Sequence, residues 1–163
     1  MMWFIFKNTP VLSNIANETA LVNKQEPVKK YELTNETHIL EDRTLHRIRA
    51  LKDFDDIKVG ALGSFIEKEV NLSHDGNCWV YDDAYVYGHV YGSARALADA
   101  HIYDHVAYDA TVFSYARVYG HAKVSGSTCI YSHAKIYNYA VINGRAKIYG
   151  KVYGNAKINK KAK

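Results

Sequence analysis

The sequence predicts an all-β protein, a parallel β-helix of about five triangular coils with a small antiparallel β cap at its N-terminal end. Three observations carry that fold class. Fifteen aliphatic positions (Val80, Val86, Val90, Ala96, Ile102, Val106, Val112, Val118, Val124, Ile130, Ile136, Ile142, Ile148, Val152 and Ile158) follow one another in steps of six, with three steps of four. Fourteen of the fifteen are Val or Ile, whose stiff χ1 angles suit a pleated surface and not a helix. Two residues before the aliphatic position of every full step stands a small residue, Ala ten times and Cys78 or Thr128 otherwise. A period of six has no meaning on an α-helix, but it is one short strand plus one corner of a solenoid.

From the N-terminus, the run Met1-Met2-Trp3-Phe4-Ile5-Phe6 is apolar, lacks a basic flank and is too short to span a bilayer, so it reads as a strand or plug. Residues 12–26 suggest a short amphipathic helix through Leu12, Ile15 and Leu21, ended before Pro27. Residues 30–58 read as antiparallel strands: Tyr31 to Leu33 and Thr44 to Leu51 alternate apolar and polar residues, with breaks at Asn35-Glu36 and Glu41-Asp42. A solenoid needs its open end covered, and this segment supplies the cover. Residues 59–75 complete an imperfect first coil through Ile66 and Leu72, so the cap occupies 1–75 and the regular β-helix 76–163.

Within the repeats, three sides make a coil, and the aliphatic positions sort into three faces. The first holds Val80, Ala96, Val112, Ile130 and Ile148; the second Val86, Ile102, Val118, Ile136 and Val152; the third Val90, Val106, Val124, Ile142 and Ile158. The early four-residue steps share the corner between second and third faces, whereas the last, Ile148 to Val152, falls at another corner. Gly at 88, 92, 120, 126, 144, 150 and 154, with Asp82, Asp104 and Asn138 in equivalent places, is expected at turns with positive φ.

This pattern resembles the transferase-hexapeptide superfamily, whose fold is a left-handed parallel β-helix; the handedness is implied by the resemblance. Four further stretches carry the likeness: Leu51-Lys52-Asp53-Phe54, Val59-Gly60-Ala61-Leu62-Gly63-Ser64-Phe65-Ile66-Glu67, Asn71-Leu72-Ser73-His74 and Gly76-Asn77-Cys78-Trp79-Val80-Tyr81-Asp82. Together they look like a bacterial and bacteriophage family in which a small cap runs into a hexapeptide β-helix and whose acyltransferase label is mostly inferred. That likeness implies a phage or mobile-element protein that binds and inhibits or modulates a host macromolecule or ribonucleoprotein. It supplies no catalytic residues, and Asn77 and Trp79 read as structural at the cap junction.

The outward side of the second face offers the candidate site. One residue after each inward position comes an unbroken column of Tyr87, Tyr103, Tyr119, Tyr137 and Tyr153. Stacked identical side chains also stabilise parallel coils, so the column has a structural reading beside the functional one. Arg117, Lys135 and Lys151 lie two residues before the last three tyrosines, on the same side of the strand. Charge is divided along the chain. All 17 acidic residues and 11 of the 21 basic ones fall at or before Asp109, and the remaining 10 basic residues follow Ala110 with no acid among them. Basic ends also block strand-on-strand aggregation, which accounts for Lys160, Lys161 and Lys163 but not for three coils without an acid. An anionic macromolecular partner is therefore expected, a protein or ribonucleoprotein first and RNA second, as is self-association through the exposed aromatic stripe.

Two other chemistries compete. A trimeric acyltransferase would use His121 or His133 as general base, yet no step between Val80 and Ile158 exceeds six, so no loop leaves the coils to build a pocket. Single-stranded nucleic acid would stack its bases on the tyrosines. His89, His105 and His121 fall near one corner, but no carboxylate or Cys completes a metal set, so neither metal nor cofactor is expected. Cys78 points inward and Cys129 outward. Three coils at the strand spacing would part them by about 14 Å, beyond disulfide reach. A cytoplasmic, non-membrane protein is consistent with that pattern.

Overall fold

A computed structural model of the protein describes residues 28–160. The expected N-terminal strand or plug, the helix over 12–26, Lys161 and Lys163 lie outside the described residues.

The chain folds as a parallel β-solenoid of about six turns with an antiparallel sheet at its N-terminal end. Each face is a ladder of short strands whose register is the one the six-residue step predicts. Along the first face Val80, Ala96, Val112, Ile130 and Ile148 are successive parallel partners. Val86, Ile102, Val118, Ile136 and Val152 pair along the second, and Val90, Val106, Val124, Ile142 and Ile158 along the third. The coil after the Ile148–Val152 step therefore keeps register on all three faces. Twelve of the fifteen side chains are buried; Ile148, Val152 and Ile158, in the last coil, are half-buried because no coil packs beyond them among the described residues. The small residues preceding full steps, Ala84 to Ala146 with Cys78 and Thr128, are almost wholly buried and fill the corners.

Corner chemistry differs in part from expectation. Gly92, Gly120, Gly126, Gly144, Gly154, Asp82 and Asn138 have positive φ as expected. Gly88, Asp104 and Gly150 do not, because they occupy the four-residue corners, where the chain turns more tightly without that left-handed residue. Gly88 is instead required by close approach. A Cβ there would lie 2.1 Å from the backbone oxygen of Asp104 in the next coil.

The cap extends the second face. Strand β1 (Tyr31–Leu40) pairs antiparallel with β2 (Arg43–Ala50), and β2 with β3 (Leu62–Ile66). β3 then runs parallel to Tyr85–Val86, so cap and second face form one eight-stranded sheet. Ile66 lies in line with Val86 and Leu72 with Val90, which makes 59–75 the imperfect first turn. Asn35-Glu36 is not a break as expected but sits where the β1–β2 register shifts, between Leu33 and Thr37. The chain reverses at Glu41-Asp42, whose φ values are 52° and 61°. Two successive positive values are those of a primed two-residue hairpin. Cys78 and Cys129 are both free thiols.

Candidate functional site

The outward residues of the second face form two ladders. Before the inward positions stand Phe65, Tyr85, His101, Arg117, Lys135 and Lys151, in parallel register coil by coil. After them stand the five tyrosines. Arg117, Lys135 and Lys151 are exposed and adjacent, each on the strand that carries Tyr119, Tyr137 or Tyr153. The structure thus brings the sequence-predicted cations and three of the predicted rings together.

The tyrosine column is not continuous. Tyr87 and Tyr103 stack at 4.7 Å between centroids and 6° between planes. Tyr119 stacks on Tyr137 at 5.1 Å, and Tyr137 on Tyr153 at 5.3 Å. No ring contact joins Tyr103 to Tyr119, and a cleft of about 370 Å³ opens there, lined by Glu41, Tyr103, Arg117, Tyr119, Gly120 and Lys135. The break falls where the corner changes. Tyr87 and Tyr103 lead into four-residue steps, whereas Tyr119 and Tyr137 lead into six-residue steps through Gly120 (φ 66°) and Asn138 (φ 60°). Rings on one corner type stack with their own kind and part from the other.

The cap hairpin covers the first stack. The Arg43 guanidinium lies over the Tyr87 ring at 5.4 Å, and Tyr87 is only 6% exposed. Its hydroxyl is buried without a hydrogen-bond partner among the described residues. Tyr87 is therefore withdrawn from any partner surface, contrary to expectation, because β1 and β2 continue the sheet and their tip folds over its outer side. Tyr103 O–H donates to Glu41 Oε2 at 3.4 Å and lies 3.4 Å from His101 Nδ1. Burial, then the Glu41 carboxylate, pushes the Tyr103 hydroxyl above its ordinary pKa. Burial, with Arg117 next, pulls His101 below its own, which favours the neutral imidazole. Glu41 was missed in the sequence, where it reads only as a turn residue. In the structure Glu41 stands out by a φ of 52°. Asn or Gly is the usual occupant of such a place.

The histidines separate. His89 and His105 stack at 5.0 Å, but Lys123, not His121, takes the next place in that ladder. His121 stacks instead on Tyr139 at 5.4 Å, and His133 on Tyr115 at 5.0 Å, at a different corner. Among the described residues neither ring makes a hydrogen bond to a carboxylate that would orient it as a base. Among the described residues no group of three or more His, Cys, Asp or Glu is arranged to hold a metal. No helix among them is long and apolar enough to cross a membrane.

No family model matches the chain. The chain is similar to the uncharacterized acetyltransferase YdcK of Escherichia coli (strain K12), 37% identical over 70 residues. The match covers 37% of this chain and 22% of that protein, so the chain spans less than a quarter of that relative's length. This likeness and the parallel solenoid fit the transferase-hexapeptide superfamily.

Proposed function

We propose that the chain is a non-enzymatic β-helical binding module whose second face, across the last three coils, docks an acidic protein or ribonucleoprotein surface. The observation that carries this reading is the paired ladder: Arg117, Lys135 and Lys151 in register beside stacked Tyr119, Tyr137 and Tyr153. No Asp or Glu occurs from residue 110 onward to oppose an anion.

The ring geometry favours a protein surface over single-stranded nucleic acid. Bases bind aromatic side chains by stacking on their faces. Here the inner ring faces are covered by their neighbours, so apart from the end faces of Tyr119 and Tyr153 the ladder offers edges and hydroxyls to a partner. Edges and hydroxyls suit acidic side chains and backbone carbonyls, with the cations supplying attraction and Tyr the anchor area. Inhibition of a host macromolecule rests on the resemblance alone. The acyltransferase reading rests on the relative's name, and it would need a second chain to orient His121 or His133.

The test is Arg117→Glu, Lys135→Glu and Lys151→Glu combined, with poly-L-glutamate as probe and poly-uridylate in parallel. Each exposed ion pair is worth up to about 1 kcal/mol, so three reversals are expected to weaken poly-L-glutamate binding by at least about tenfold and remove most of its salt dependence. Unchanged binding in the triple variant would exclude this face. Turnover of acetyl-coenzyme A by the wild-type chain, lost in His121→Ala, would overturn the non-enzymatic reading.

A further inference from the structure

The cleft at the break in the tyrosine column has a chemistry of its own. Tyr103 has one face on Tyr87, and Tyr119 has one on Tyr137; no other tyrosine covers the opposite face of either among the described residues. Tyr103 also has the His101 ring beside it, at 6.1 Å between centroids and 22° between planes. Tyr103 thus forms one aromatic wall of the cleft, and the uncovered face of Tyr119 is the one on which an entering aromatic plane stacks. Arg117 and Lys135 stand beside it as neighbouring parallel partners, spaced to share one phosphate group between a guanidinium and an ammonium. Glu41 enters from the hairpin tip and presents a carboxylate, an acceptor-only group. The cleft volume of about 370 Å³ lies within the range of small-ligand sites.

We propose that this cleft binds a phosphorylated guanosine. The aromatic walls take the base, and the two cations take the phosphate. The carboxylate selects among bases. Guanine presents two adjacent N–H donors, N1–H and the N2 amino group, which one carboxylate accepts together. Adenine and cytosine place a ring-nitrogen lone pair beside their amino group and would meet the carboxylate with repulsion. Glu41 also sits at a φ of 52°. That conformation costs a Glu, and Asn or Gly would take it more readily. A carboxylate held there at a cost is accounted for if it reads a ligand.

The site shares Arg117, Lys135 and Tyr119 with the docking face, while Tyr103 and Glu41 belong to the cleft alone and Lys151 and Tyr153 to the docking face alone. The two proposals therefore fail separately. Calorimetric titration of the full chain with GDP and ADP is the test, with a uridine oligonucleotide carrying one guanine as a third arm. GDP is expected to bind saturably and ADP at least about tenfold more weakly. Tyr103→Ala is expected to lower GDP affinity about tenfold, the loss of one aromatic wall of the cleft. Glu41→Gln, at an exposed turn and so without consequence for folding, is expected to bring the GDP to ADP preference near unity, by weakening GDP and relieving the repulsion that ADP meets. Tighter binding of the oligonucleotide than of GDP would assign the guanosine to an RNA strand, and the reverse order to a free nucleotide. Absence of saturable GDP binding at millimolar concentration, equal affinity for GDP and ADP, or indifference to Glu41→Gln would overturn the proposal. Lys151→Glu with Tyr153→Ala is expected to leave GDP affinity unchanged.

Discussion

Replacing Trp79 by Ala is expected to cost about 3–5 kcal/mol of folding stability, the range for truncating a fully buried large aromatic. Trp79 is 1% exposed and sits where the cap meets the first regular coil. Its ring packs edge-on against Tyr31 from β1 at 6.3 Å and Phe54 at 5.3 Å. Gly63 of β3 closes the site: a Cβ there would come within 2.8 Å of Trp79 Cζ2. Backbone is pressed against the indole, so the cavity left by Ala cannot close without moving strands. Urea unfolding followed by circular dichroism measures this. Tyr149→Ala is the control, at a ring 72% exposed. Its stability should stay within about 0.5 kcal/mol of the parent, as for other surface substitutions. A loss below about 1 kcal/mol for Trp79→Ala would mean that cap and solenoid are not joined through this ring.

Gly88→Ala and Gly150→Ala are expected to part in their effects although both glycines hold the same place in the repeat. Each lies two residues before an inward valine after a four-residue step, and neither has positive φ. The added Cβ at 88 would lie 2.1 Å from the Asp104 oxygen and 2.5 Å from its nitrogen, both backbone atoms of the next coil. Stacked coils cannot separate at one corner without breaking the ladder, so a cost of about 2–3 kcal/mol is expected. At 150 nothing among the described residues lies within 4 Å of the added Cβ. The change there should be within about 0.5 kcal/mol. Equal midpoints for the two variants would contradict the coil stacking at this corner.

What was legible in the sequence follows from what is local. The inward register could be read from single residues because every coil repeats the same contact, and all fifteen positions pair as the step of six requires. The small-residue corners followed for the same reason. The covering of Tyr87 was not legible, because it depends on β1 and β2 joining the second face across tens of residues and on the direction of their tip. Glu41 reached the site by that same long-range pairing. The split between Tyr103 and Tyr119 did have a signal: both early four-residue steps fall after Tyr87 and Tyr103, and no such step follows Tyr119. The spacing of His121 suggested a column with His105, but the wider corner after Gly120 shifts it out of line and puts Lys123 there. Cation register was legible in full, since Arg117, Lys135 and Lys151 stand at one repeat position.

The most direct measurement is amide chemical-shift mapping of isotope-labelled protein titrated with poly-L-glutamate. Basic residues occur on all three faces of the last coils, Lys147 on the first and Lys123 and Lys157 on the third, so a polyanion attracted only by net charge would perturb all of them. The account predicts shifts concentrated at Arg117, Tyr119, Lys135, Tyr137, Lys151 and Tyr153, with the other two faces still. Perturbations spread evenly over Lys123, Lys147 and Lys157, or absent from the second face, would contradict it.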